Sequence, residues 1–271
     1  MGQTVRKTVL VVLGVIWLLP VYLMIVNAGK TNADYGLTSP WQPTSLASLA
    51  KNAATAWDRG DLFAGVLSTL LYAIASPLIA VIIGAMAGFA IVALKLRHGF
   101  VWFTVIFSST VLPIQMVLMP LFIGYVQLDL YDTRVGMILL YTVISVPFSA
   151  FVMRNFFTGI SLNVFEAAVM DGASTWRIFW RIYIPLSRPA LVAVFILQAT
   201  FIWNDLLLGL TLTQSKDNRP IVTLLSALQS TYGGSTMPVV LAGGMLVSLP
   251  TVILFLATQR SFTRGLALGQ F

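Results

Sequence analysis

The chain has no cysteine, which excludes disulfides and thiolate metal sites and leaves its redox compartment open. Its single histidine, His98, sits in the short basic stretch 95–98, where it reads as a solvated side chain. Charge is scarce as well, at 9% of 271 residues. No carboxylate pair and no His/Asp/Glu cluster falls inside the apolar runs, so acid–base hydrolysis and metal catalysis have no residues to work with. No glycine-rich loop ending in Gly-Lys-Ser/Thr occurs, and the chain therefore lacks that route to ATP. Tandem repeats and low-complexity tracts are absent too.

Apolar residues fill the space, at 58% of the chain and a mean hydropathy of +0.90. That is far above a soluble domain of this length and marks an integral membrane protein. The net charge of +7 is spread along the chain rather than gathered in one patch, which points to membrane topology and away from nucleic acid.

Crossing about 30 Å of hydrocarbon takes roughly 20 helical residues. Runs of that kind cover 8–27, 65–93, 100–123, 135–153, 189–212 and 238–258. The expected fold is all-α, with six transmembrane helices in a single transmembrane domain over 1–271. The third run is interrupted, because "VLPIQMVLMPLF" places Pro113 and Pro120 inside it. Proline there frees backbone carbonyls, so a kink is expected beside a neighbouring helix or a cavity.

Six spans put both termini on one side with the loops 94–99 and 154–188. That side carries ten basic residues against Glu166 and Asp171, whereas the other carries six basic against six acidic. Both termini are therefore expected in the cytoplasm. Arg6 and Lys7 before an apolar run ending near "VNAGK" also resemble a signal peptide, but the run is longer than a usual signal core and is read as a retained span. The polar stretch 28–62 that follows it is an extracytoplasmic loop, not a second domain. In the second span, "GAMAG" sets Gly84 and Gly88 on one helix face, where another helix backbone can approach closely; ordinary packing within the chain suffices to explain it.

The stretch "NVFEAAVMDGASTWRIFWRIYIPLSRPAL", 163–191, is charged and broken by glycine between apolar runs. Asn163 and Glu166 have the spacing of a capping box. Gly172 is placed to end the helix in the left-handed conformation, and Ser174 to cap a second helix running to Pro185. In that second helix Trp176, Phe179, Trp180 and Tyr183 recur at helical steps, with Arg177 and Arg181 four apart. An amphipathic hairpin on lipid headgroups would suit the arginines and tryptophans. The small, acidic surface of Glu166, Ala167, Ala168, Met170 and Asp171 suits a protein groove instead.

These residues resemble the hallmark cytoplasmic loop of the membrane-spanning subunits of ABC importers. Glu166, Ala167, Ala168, Gly172, Ile182 and Pro185 stand at the family's spacings, and Ile184 replaces its usual Leu. "LPIQMVLMPLF", Pro147-Phe148, "DGAS", "WND" at 203–205 and "QRSFTRGLALG" follow in the order of the carbohydrate-type permeases, similar to the second membrane subunit of the maltose and glycerol-phosphate importers. Ser68-Thr69 stands where relatives often carry Asn-Ser, and the Lys-Gly ending is missing.

The resemblance implies a type I ABC importer transmembrane fold in a bacterial or archaeal plasma membrane. It implies a coupling loop at about 160–188 between helices four and five, whose Glu166, Ala167, Ala168, Met170, Asp171, Gly172 and Arg177 dock an ATPase. The partners it implies are a second related permease, two cytoplasmic ATPase subunits that bind ATP and Mg, and an extracytoplasmic solute-binding protein reached by loop 213–237, with membrane lipid around the whole. No cofactor is expected in this chain, and no catalysis. Asp205 is the only acid in an expected span and normally needs a cavity or partner. With Trp203, Asn204 and Gln115 it is a candidate for the sugar path, the other reading being a structural hydrogen bond to a neighbouring helix or to the partner subunit.

Overall fold

The structure, a computed structural model, describes residues 2–229 and 234–267, with side chains as far as Gln259. Residues 230–233 of the expected loop 213–237, the side chains of the "QRSFTRGLALG" motif after Gln259, Arg260 and Arg264 among them, and its last two residues lie outside the described residues.

All regular structure among the described residues is helical. The order is α1 (Gln3–Ala28), α2 (Leu46–Arg59), α3 (Leu62–Val92), α4 (Gly99–Ser108), α5 (Ile114–Gln127), α6 (Arg134–Thr158) and α7 (Leu162–Met170). There follow α8 (Thr175–Ile178), a π-helical turn (Phe179–Tyr183), α9 (Ile184–Leu186), α10 (Arg188–Trp203), α11 (Leu207–Leu212), α12 (Ile221–Leu228) and α13 (Met237–Ala267). Among the described residues, four helices are long and apolar enough to cross a membrane, namely α1, α3, α6 and Met237–Gln259 of α13. A fifth results if Thr175–Leu186 and Arg188–Trp203, bent by 75° at the join, count as one span.

The two remaining expected spans are broken. The third is not a kinked helix but two short ones, α4 and α5, with a turn at 109–113 between them. Pro113 has no amide hydrogen and disfavours helix at Leu112, so it stands extended at the N-cap of α5. Pro120 is absorbed within that helix. The fifth expected span, 189–212, stops at Trp203 and restarts as α11. Asp205 causes the restart, since its carboxylate accepts the amides of Gly209 at 3.0 Å and Leu208 at 3.4 Å, a capping role.

Internal contacts divide the chain into two compact units. One comprises the chain up to Val66 and Ile221–Pro250. Its small core joins Ala56, Leu228 and Val239. Here the stretch read as a polar loop holds a helix: Ser45 accepts from the Ala47 amide and starts α2, whose Leu49, Asn52, Ala53 and Ala56 recur at three- and four-residue steps. Asn52 donates to the carbonyls of Ala28 and Lys30, and Thr44 to that of Val26, so orphan carbonyls at the end of α1 are met.

The other unit comprises Leu67–Pro220 and the chain from Thr251. One core gathers Tyr72, Tyr141, Ile202 and Leu208; a second gathers Phe89, Phe157, Phe179 and Tyr183. Gly84 and Gly88 make α3 and α6 meet backbone to backbone. A methyl group at Gly84 would lie 2.7 Å from the Ala150 nitrogen, and one at Gly88 2.8 Å from the Arg154 nitrogen. The small-residue face is therefore packing within the chain. On α6, Tyr141, Ser145 and Ser149 recur every four residues and are all buried. Ser145 donates to Gln198 of α10 at 3.1 Å, a polar pairing between apolar helices.

Segment 213–220, whose plain reading is a flexible loop, is pinned. Asp132 accepts the amides of Gln214 at 2.9 Å and Ser215 at 3.0 Å and the Ser215 hydroxyl at 3.0 Å. The Asn218 side-chain amide donates to the Asp132 carbonyl. Ser68 and Tyr72 of α3 donate to the carbonyls of Asp217 and Asn218. Burial would raise the Asp132 carboxyl, but the Gln214, Ser215 and Asn218 donors together outweigh it and hold it below the usual carboxylate value.

Candidate functional site

The charged stretch folds into a short, capped helix on an aromatic base. Helix α7 starts two residues earlier than the capping-box spacing implies: Ser161 is the N-cap and Asn163 lies inside the first turn. Ser161 is already extended and leads directly into Leu162, so Asn163 has no capping geometry to offer. The C-terminus is as expected. Gly172 has φ +77°, its amide donates to the Val169 carbonyl at 2.9 Å, and the Ala173 amide donates to the Ala168 carbonyl at 3.0 Å. This pair of bonds is the Schellman closure, which needs a left-handed residue at that position. Ser174 accepts the Arg177 amide at 3.4 Å and opens α8.

One face of α7 is anchored and the other is bare. Ala168 is buried, and Phe165 packs against Phe89 of α3 with ring centroids 6.1 Å apart. Phe89 in turn meets Tyr183 at 4.8 Å and Phe179 at 5.3 Å, and Phe157 of α6 meets Tyr183 at 5.3 Å. Glu166, Ala167, Met170, Asp171, Gly172 and Arg177 are exposed, Met170 by 87%. The aromatic stripe divides accordingly: Phe179 and Tyr183 are buried, while Trp176 and Trp180 stay exposed at the edge. The bend at Ser187 follows, and its hydroxyl donates back to the Tyr183 carbonyl at 2.8 Å. The aromatic base thus packs α7 against residues of α3, α6 and α10.

A second feature is a cavity of roughly 670 Å³ beside the α10–α11 break. Asn204 and Asp205 line it together with Thr200, Phe201, Thr251 and Phe255. Of the four expected path residues, the structure brings only these two to the cavity. Trp203 is 5% exposed and packed inside, because the residue before the break still points along α10 into the core. Gln115 is exposed on α5 and does not line the cavity. Asp205 is largely committed: besides the two amides of the α11 turn it accepts the Tyr141 hydroxyl at 2.9 Å. Asn204 spends its amide on the Thr200 carbonyl at 2.8 Å, which leaves its side-chain oxygen to accept a hydroxyl. Tyr141, Ser145 and Gln198 were missed from sequence; the four-residue spacing of Tyr141 and Ser145 within an apolar run was the available signal.

Residues 80–266 match the family described as binding-protein-dependent transport system inner membrane component. Among relatives, a putative ABC transporter permease protein of Caldicellulosiruptor sp. is 29% identical over 92% of this chain and 90% of its own length. The trehalose transport system permease protein SugB of Mycobacterium tuberculosis is 32% identical over 78% of each chain. The arabinooligosaccharides transport system permease protein AraQ of Bacillus subtilis is 26% identical over 95% of this chain and 91% of its own. A solved bacterial ABC transporter involved in import of the acidic polysaccharide alginate shares the fold, with a TM-score of 0.76, 22% identity, and coverage of 96% of this chain and 98% of that one.

Proposed function

The chain belongs to the family of binding-protein-dependent transport system inner membrane components, and on that premise we propose that it is one of two related permease subunits of an ATP-driven importer for a sugar, oligosaccharide or polyol. It is a multi-pass membrane protein. In the proposed topology α4 with α5, and α10 with α11, are broken spans, which brings the total to six and leaves both termini in the cytoplasm by the distribution of lysine and arginine. The carbohydrate class is supported by the trehalose and arabinooligosaccharide systems to which the relatives belong.

The observation that carries the coupling role is α7 itself. It is a capped helix with Phe165 and Ala168 locked into the aromatic core and Glu166, Ala167, Met170 and Asp171 bare. A headgroup-binding hairpin would present cations and tryptophans alone, whereas here a methionine 87% exposed stands beside two exposed acids. Two partner ATPase subunits would bind ATP and Mg, and this subunit performs no chemistry of its own. Their closure moves α7, and the Phe89–Tyr183–Phe157 contacts carry that motion to α3 and α6. Alternating access is then a shift between two arrangements of the bundle. On the opposite side, segment 213–220, held by Asp132, faces the solute-binding protein. Within the membrane, Asn204 is the group of the 204–205 pair with an acceptor left for a sugar hydroxyl, while Asp205 holds the helix break in place.

The test uses the assembled importer in liposomes with Glu166→Lys and Gly172→Val made separately. Loss of binding-protein-stimulated ATP hydrolysis, or release of the ATPase while the two permeases stay together, is the expected result. Unchanged stimulation with the ATPase still bound would make α7 a membrane-surface hairpin and sink the coupling assignment.

A further inference from the structure

Lys30 lies two residues beyond α1, where the chain leaves its first apolar run. Lysines at the end of a span ordinarily extend their ammonium into water. This one is 1% exposed. The loop that follows folds over it, and the ammonium donates to the carbonyls of Ser39 at 2.9 Å and Thr38 at 3.4 Å. An ammonium has three hydrogens, and among the described residues Lys30 makes no ion pair, so a full positive charge is enclosed without a counter-ion. Enclosing a charge in this way is costly unless a charge of opposite sign completes it.

The enclosure is built. Asn27 donates to the carbonyls of Leu23 and Pro40, and Asn52 to that of Lys30 itself. Tyr22 stacks on Trp41 with centroids 6.4 Å apart and donates to its carbonyl at 2.8 Å. Lys30 also lines a cavity of roughly 560 Å³. Asn27 and Tyr35 line it with Lys30, and Pro20, Leu23 and Met24, earlier along α1, give it an apolar wall. The apolar wall continues along α1, of whose most apolar stretch only 6% is buried within the chain.

A cation and an apolar wall in one cavity, at the boundary where a span enters water, fit an amphiphile with one anionic group. We propose that this cavity binds a glycerophospholipid, with its phosphate on the Lys30 ammonium and the start of an acyl chain along Pro20, Leu23 and Met24. The continuity with the lipid-facing surface of α1 favours a membrane lipid over a soluble anion. The bound lipid would fix the 31–44 loop to the end of α1.

The assembled complex is purified in detergent and stripped of loosely held lipid, and the phospholipid retained is counted by mass spectrometry for the native protein, Lys30→Met, Lys30→Arg and Leu23→Trp. The native protein and Lys30→Arg should retain one more phospholipid per copy of this chain than Lys30→Met. Leu23→Trp keeps the charge and its carbonyl partners but fills the cavity at its apolar wall, and should lose that lipid while staying folded. Added phosphatidylglycerol should raise the melting temperature of the native complex and not that of Leu23→Trp. Equal retention in all four proteins would overturn the proposal. An equal rise with inorganic phosphate alone would overturn the lipid source and make the cavity a soluble-anion site.

Discussion

Tyr141 and Asp205 stand 64 positions apart in the chain and meet at 2.9 Å, the phenol of α6 donating to a carboxylate that also accepts the first amides of α11. One acid thus ends α10, starts α11 and fastens the break to a neighbouring helix. An acid in an apolar span is costly, and three donors from two helices offset that cost here.

Removing the phenol should therefore be felt as an unmet acceptor. Tyr141→Phe is expected to lower the unfolding free energy of the solubilised protein by about 1–3 kcal/mol. Asp205→Ala should cost more, because the Tyr141 hydroxyl and the amides of Leu208 and Gly209 lose their acceptor together. Thermal unfolding in detergent checks the order; a Tyr141→Phe protein as stable as the native one would show that the bond contributes nothing.

The α3–α6 contact makes a sharper contrast between glycines. An alanine at Gly88 meets the Arg154 backbone nitrogen at 2.8 Å, and backbone cannot swing aside as a side chain does. Overpacking of this kind costs about 1–3 kcal/mol. Gly244 has open space around it, so Gly244→Ala should be neutral or slightly stabilising through helix propensity. The yield of folded, monodisperse protein for Gly88→Ala and Gly244→Ala reads this out, and equal yields would refute the close contact.

Asp132 makes the 213–220 segment pH-sensitive in a stated direction. Its folded carboxyl is held below the value of an unfolded one, so the stability it contributes is fully present above the unfolded pKa of about 3.9 and is lost as pH falls through the lower folded value. Resistance of the segment to limited proteolysis should be flat from neutral pH to about pH 5 and fall only in stronger acid. Asp132→Asn should loosen it at neutral pH. A loss of resistance beginning between neutral pH and about pH 5 in the native protein would contradict the assignment.

Much of the site was legible because local rules govern it. Gly172 was readable as a left-handed stop and Ser174 as a cap, since both depend on a few neighbouring backbone groups. Asn163 misled because a capping spacing can occur two residues too late; Ser161 already held the N-cap position. The helix breaks at Pro113 and Asp205 were half legible. Proline announces a missing amide, but an aspartate in an apolar run gives no hint that it will cap a new turn rather than face a ligand.

The sequence by itself determined the membrane solvent, the all-helical backbone that solvent demands, and a short helix ended by Gly172. Backbone groups in hydrocarbon must bond within their own segment, and apolar runs of that length leave little choice. Only the tertiary structure decided that Gly84 and Gly88 seat α6, that Asp205 belongs to Tyr141, that Trp203 is packed inside, that Asp132 pins 213–220, and that Lys30 is enclosed. These pairings join residues far apart in the chain, and a polar or small residue in an apolar run does not name the partner it will meet.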